Sequence, residues 1–134
     1  MKGKIMRSSK AKLASAIALT IGAASVLAQE PFVRAPLQKS EFPAGYESQI
    51  MLVTSAPGAL LARHTHPGIE LSYVLEGEPT VTIDGKEDLV VKAGSSFSIP
   101  PGAIHSARNT SSKPTKVIAV FVIEKGKPVA SPTP

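Results

Sequence analysis

From about residue 47 to residue 124 the chain is written in short alternating or β-branched runs separated by Gly and Pro. The pattern predicts strands at 49–54, 59–66, 71–75, 80–83, 89–91, 96–99, 105–109 and 116–123, and no segment keeps a helical period. Ala56-Pro57-Gly58, Glu76-Gly77-Glu78, Lys92-Ala93-Gly94 and Pro100-Pro101-Gly102 mark reversals, and Asp84-Gly85 is a two-residue hairpin signal. Many short, evenly spaced strands imply an all-β antiparallel sandwich or jelly roll of one domain. Residues 29–46 hold three prolines and read as an extended arm, docked by Phe32, Leu37 and Phe42. Residues 125–134, with Pro128, Pro132 and Pro134, read as a loose tail.

The first 28 residues have a different character. Lys2, Lys4, Arg7, Lys10 and Lys12 precede an uncharged run at 13–28 that is rich in Ala, Leu and Ile, and Val26 and Ala28 put small residues before Gln29. This is the layout of a secretory signal peptide cut after Ala28, which predicts a periplasmic or secreted protein. The run is shorter than the ~20 apolar residues of a membrane span, so an uncleaved anchor is the weaker reading and no membrane association is expected after cleavage. There is no cysteine to carry a lipid and no twin-arginine pair.

Removing the leader changes the charge. Of fifteen basic residues five lie in the leader, which leaves ten against ten acidic ones. The net charge of +5 therefore says nothing about nucleic acid, and no basic cluster with interleaved aromatics follows the leader. No nucleic-acid partner is expected. With no cysteine there are no disulfides, and the roughly hundred remaining residues suffice for one modest core.

Candidate chemistry sits in one stretch. All three histidines of the chain are His64, His66 and His105. Alternate side chains of a strand share a face, so His64 and His66 point the same way. Pro67-Gly68 then reverses the chain and returns Glu70 toward them, which puts three candidate metal ligands on one predicted hairpin.

Gly58, His64, His66, Glu70 and Gly77 fit the pattern G-x5-H-x-H-x3-E-x6-G, and Gly94, Pro100, Gly102, His105 and Asn109 fit G-x5-P-x-G-x2-H-x3-N. With both motifs complete, the chain resembles a small single-domain bacterial cupin over about residues 47–124. The resemblance implies a cupin jelly roll, or double-stranded β-helix barrel. It also implies that His64, His66, Glu70 and His105 bind one divalent transition metal, with Fe, Mn, Ni, Cu, Co and Zn all found in such proteins. Open coordination positions would then be left for water, dioxygen or a chelating ligand. Small cupins commonly dimerise by sheet packing or by exchange of an N-terminal strand, so a homodimer is expected.

The other motif residues read as scaffold. Gly58, Gly77, Gly94 and Gly102 are expected at turns, and Asn109 as a hydrogen-bonding core residue. Alternation proposes Leu60, Ala62, Ser72, Val74, Phe97 and Ile99 as pocket walls and turns Arg63 and Arg108 outward. Beyond Glu70 these walls contain no second general acid or base, which favours chemistry done largely at a metal. Two functions follow. One is a dioxygenase-like oxidoreductase acting on a small chelating organic molecule, with Glu70 as ligand and catalytic base; the other is a non-catalytic module that binds metal or a small ligand. An oxalate oxidiser of the germin type is disfavoured, because germins carry long helical extensions.

Overall fold

A computed structural model describes residues 31–134. The predicted leader, with its cut after Ala28, lies outside them. The strands are β1 (Phe32–Ser40), β2 (Tyr46–Ser55), β3 (Leu60–Thr65), β4 (Ile69–Glu76), β5 (Thr80–Ile83), β6 (Leu89–Val90), β7 (Ser96–Ile99), β8 (His105–Arg108), β9 (Thr115–Glu124) and β10 (Ser131–Pro132). They form two five-stranded sheets in the orders β1-β2-β9-β4-β7 and β10-β3-β8-β5-β6, with antiparallel pairing throughout. The jelly roll predicted from the short alternating runs is the fold.

Alternation decides which side chains fill the space between the sheets. Along β9 every second residue from Thr115 to Ile123 is buried, and along β4 the buried set is Glu70, Ser72 and Val74. Val74, Val81, Val91, Ile99 and Val117 form one core cluster, and Ala119, Phe121 and Ile123 a second. Between them, the register Glu70↔Phe121, Ser72↔Ala119 and Val74↔Val117 sets a polar pair into an otherwise apolar wall.

Three expectations are corrected. The arm at 29–46 is in large part strand β1, the edge of the first sheet, paired with β2 from Phe32↔Ser55 to Ser40↔Ser48. Its expected anchors Leu37 and Phe42 are exposed, at 54% and 71%, because the backbone ladder holds the segment in their place. The end of the supposed loose tail is strand β10, which covers the edge of β3 through Ser131↔Thr65 and Pro132↔His64. Finally, β3 and β4 lie in opposite sheets and form no hairpin. Pro67-Gly68 instead carries the chain across one end of the sandwich, and the ligand types arrive from two sheets.

Turn chemistry shows the same mixture. Gly58, Gly77, Gly94 and Gly102 all have positive φ, as expected of scaffold positions. At Asp84-Gly85 the Lys86 amide donates to the Ile83 carbonyl, and Gly85 alone has positive φ. That is the signature of a type II turn, whereas the type I′ hairpin turn that Asp-Gly signals needs positive φ at both central positions. β5 and β6 accordingly pair only further out, at Val81↔Leu89 and Thr80↔Val90.

Gly68 is different, because its requirement is space. A Cβ there would lie 1.9 Å from the Val122 carbonyl oxygen and 2.8 Å from the Ile123 Cα, both of them backbone of β9. Around Gly85 nothing lies within 4 Å of a built Cβ. Gly68→Ala is therefore expected to destabilise the protein by about 3 kcal/mol or more, since the backbone crossing must move. Gly85→Ala is expected to cost only the about 1–2 kcal/mol of a left-handed non-glycine residue. Thermal melts of the two variants check the order, and equal losses would mean that the crossing is not tightly seated.

Candidate metal centre

The predicted ligand types meet at one point inside the sandwich. β3 supplies His64, and the chain leaving it supplies His66. β4 enters the opposite sheet with Glu70 at its first inward position, and β8 opens on His105, the register partner of His64. All four are between 2% and 8% exposed. The imidazole centroids are 4.2–4.9 Å apart, and the candidate ligand nitrogens of the three rings lie within 4.8 Å of one another. Glu70 Oε2 is 2.9 Å from His66 Nε2 and 3.6 Å from His105 Nε2.

Each ring is oriented by a backbone carbonyl. His64 Nδ1 is 2.7 Å from the Ala62 oxygen, His105 Nδ1 3.0 Å from the Ala103 oxygen, and His66 Nδ1 2.5 Å from the Val129 oxygen. A carbonyl only accepts, so each Nδ1 carries the proton and donates it, leaving every Nε2 for the shared space. This is the arrangement that metal-binding histidines require. The Phe121 ring closes the floor, at 4.9 Å centroid distance and 62° from the His66 plane.

Electrostatics points the same way. Burial, helped by the positive fields of His105, His66 and Arg34, outweighs the Ala62 carbonyl and lowers His64 from 6.5 to about 4. Burial pushes Glu70 upward, but the facing His105 and His66 imidazoles and the Ser72 hydroxyl more than reverse it and bring the carboxyl down to about 2. Ser72 Oγ donates to Glu70 Oε1 at 2.6 Å. At neutral pH the centre therefore contains a neutral His64 and a Glu70 carboxylate, both in the form that binds cations.

One atom lacks a partner. His66 Nε2 is fully buried and, despite its 2.9 Å approach to Glu70 Oε2, makes no aligned hydrogen bond. A lone pair on that nitrogen and the facing carboxylate repel each other unless something positive lies between them, and either a proton or a metal ion meets that need. Three imidazole nitrogens and a carboxylate suit a first-row divalent ion, so the residues present fit the metal that the motifs imply.

A cavity of about 50 Å³ adjoins the centre, bounded among others by Phe32, Arg34, Leu61, Phe97, Ala107 and Ala119. One water needs about 10–15 Å³ on this scale, so the space suits a small molecule or a few waters.

Residues 51–121 match the family model described as a cupin domain. The chain belongs to the cupin family. Among curated proteins, this cupin is 38% identical over 71 residues to germin-like protein subfamily 2 member 2 of Arabidopsis thaliana, covering 49% of the chain and 32% of that protein. It is 39% identical over 71 residues to the rhicadhesin receptor of Pisum sativum, covering 49% and 33%. The cupin thus aligns with about a third of the length of these relatives. Among solved structures, a double-stranded β-helix protein from Klebsiella pneumoniae superposes with a TM-score of 0.62 at 22% identity, over 72% of this chain and 80% of that one. The DMSP lyase DddQ from Ruegeria pomeroyi gives 0.65 at 20% identity, over 77% and 52%. A recombinant oxalate oxidase in complex with glycolate gives 0.62 at 26%, over 76% and 55%.

The cupin places Ser72, Val74, Phe97 and Ile99 on the inward side, as alternation proposed, since Ser72 pairs with Phe97 and Glu70 with Ile99. Leu60 and Ala62 are corrected. The β3–β8 register slips between Leu61↔Ala107 and His64↔His105, and the slip inverts parity, so Leu61 lines the cavity while Leu60 is 51% exposed. Asn109 is fully buried, with Nδ2 near the Ser55, Ala56 and Lys113 carbonyls and Oδ1 accepting from Ser111, which is the core role expected of it. Arg63 turns outward to Asp84, with contacts of 2.8 and 2.6 Å. Two contributors escaped the sequence. Val129 acts through its backbone, which carries no residue signal, whereas Arg34 could have been found from the alternation of Phe32, Arg34 and Pro36.

Ending the chain at Lys127 removes both the carbonyl on His66 and the strand that covers β3. Loss of one buried hydrogen bond costs about 1–3 kcal/mol, so a lower melting temperature is expected. In ¹H–¹⁵N spectra of the imidazoles, His66 should change while His105 keeps its signals. An unchanged His66 would show that the Val129 carbonyl does not orient the ring.

Proposed function

We propose that this protein is an exported metal-dependent oxidoreductase of the dioxygenase type, acting on a small organic molecule that chelates the metal. The observation that carries the reading is the convergence of three carbonyl-oriented imidazoles and an ionised carboxylate on one buried point. His64, His66, His105 and Glu70 would hold the ion. When bound, it would supply Lewis-acid and redox chemistry that the apolar walls cannot.

The chain's own residues have narrower tasks. Glu70 is the one carboxylate at the centre, so a proton leaving the substrate has its oxygen as the nearest anionic acceptor. Ser72 fixes the other oxygen, Oε1, and so limits how the carboxylate can turn. Val81, Phe97, Ala119 and Phe121 keep bulk water from the cavity. The glycolate complex of the oxalate oxidase, at 26% identity, favours a small oxygen-rich ligand class. A binding module without turnover is the second reading, favoured by walls that offer few polar groups.

Metal analysis of the protein exported by its host tests both. About one equivalent of a redox-active ion is expected, lost in the His64→Ala, His66→Ala double variant, together with substrate-dependent oxygen uptake that Glu70→Gln lowers at least about a hundredfold. Metal without oxygen uptake on any chelating acid tested would favour the binding module. No metal in either protein would sink the enzyme.

We further infer a homodimer formed by the outer face of the first sheet. Leu71 and Tyr73 are each 47% exposed there, and the register aligns Leu71, Val120 and Ile50 in one row and Tyr73, Ile118 and Leu52 in the next. A two-fold axis sets such a patch against its own copy. Light scattering at micromolar concentration should give twice the chain mass, and Tyr73→Glu with Ile118→Lys should give the monomer. A wild-type monomer would remove the inference.

A further inference from the structure

The described arginines around the opening of the barrel are not equivalent. Arg63 is held by Asp84 through both terminal guanidinium nitrogens and reaches the Pro134 carbonyl through Nε. Arg108 borders the cavity but is out of phase with the inward residues His105 and Ala107 and sits opposite exposed Leu60. Arg34 is in phase with the interior. Its register partner is Val53, which pairs in turn with Val117, so Arg34 extends the row that holds the core valines. Among the described residues it has no ion pair or hydrogen bond from its side chain.

Its position spans the gap between the sheets. Arg34 lies on the edge strand of one sheet, yet it borders both the central cavity and an adjoining groove formed with Leu61, Ala62 and His64 of the other. Arg34 is itself exposed, so water serves its charge in the free protein, and the guanidinium at the mouth of the chamber is free to take a carboxylate in a bidentate geometry.

We propose that Arg34 is the specificity-determining residue of this pocket, restricting its ligand to small organic anions whose carboxylate pairs with the guanidinium while the other end reaches the His64–His66–Glu70–His105 centre. The inference rests on the metal reading for that second anchor but not for the first. Cavity size limits the ligand to a few carbon atoms. The sequence of β1 thereby gains a function beyond closing the sheet, because this strand carries the selecting charge into the opening.

The test uses malonate and its uncharged diamide, malonamide, as probes of similar shape. Binding is followed by calorimetry and by the Arg34 Nε–H signal, in zinc-loaded and in metal-stripped full chain. Wild type should bind malonate at least about tenfold more tightly than malonamide. Arg34→Gln should erase that preference in the metal-stripped chain and reduce it in the zinc-loaded one, while melting temperature and zinc content stay as in wild type, and Arg34→Lys should keep part of it. Loss of malonate affinity on stripping zinc, with the Arg34 shift still present at high malonate, would support both anchors. A protein that takes up no zinc but still prefers malonate through Arg34 would refute the metal reading alone. Absence of malonate binding at millimolar concentration, or equal affinity in wild type and Arg34→Gln, would overturn the proposal.

Discussion

Four polar side chains inside an apolar sandwich of this size are a liability, and the structure is arranged around offsetting it. Each imidazole donates Nδ1–H to a carbonyl, from Ala62, Ala103 or Val129, and Glu70 receives the Ser72 hydroxyl. Three of these bonds span two residues along the chain, whereas the one from His66 to Val129 joins segments 63 residues apart, and the four side chains meet only once both sheets have formed. The centre is therefore a product of the whole topology: two strands of one sheet, one of the other, and the last ten residues of the chain. Within the centre, the fully buried atom left without a partner is His66 Nε2, which faces the carboxylate across the space where the other rings converge.

The elements closest to this point were the easiest to read. His64 and His66 share a face because a strand has period two, and Glu70 follows at a spacing that a Pro-Gly break can bridge. The error lay in how it is bridged. A short Pro-Gly link reads as a hairpin, but the space against β9 that admits only Gly68 is a tertiary fact. Parity failed for a similar reason at Leu60 and Ala62. A one-residue slip between β3 and β8 is invisible in a single strand's pattern, since it is a property of the pair. The tail was read as loose because prolines weaken a strand, whereas an edge position tolerates them.

Likeness to known proteins bears unevenly on these features. The alignment with the germin-like proteins spans 71 residues, about a third of their length. The family-model match, over residues 51–121, is the part of the chain that holds the four candidate ligands. The fold is equally close to a DMSP lyase and to an oxalate oxidase, two chemistries that share no reaction type. The barrel alone is thus compatible with several chemistries, and selection among them must come from the ligands at the centre and what surrounds them.

That surrounding is supplied by the two ends of the described chain. β1 brings Phe32 and Arg34 to one side of the opening, and the β10 segment brings the Val129 carbonyl to the outer edge of His66. The barrel between them fixes where the ligand types converge, but it offers few polar groups with which to distinguish one small molecule from another. A charge at the rim acts on the ligand directly, and a carbonyl behind an imidazole acts through the basicity and angle of that ring. Arg34 is exposed at the rim, whereas Val129 also packs against the cluster of Ala119, Phe121 and Ile123. Specificity in this protein should therefore vary through its terminal strands before it varies through its motif residues, even though the motif residues are what make the centre recognisable.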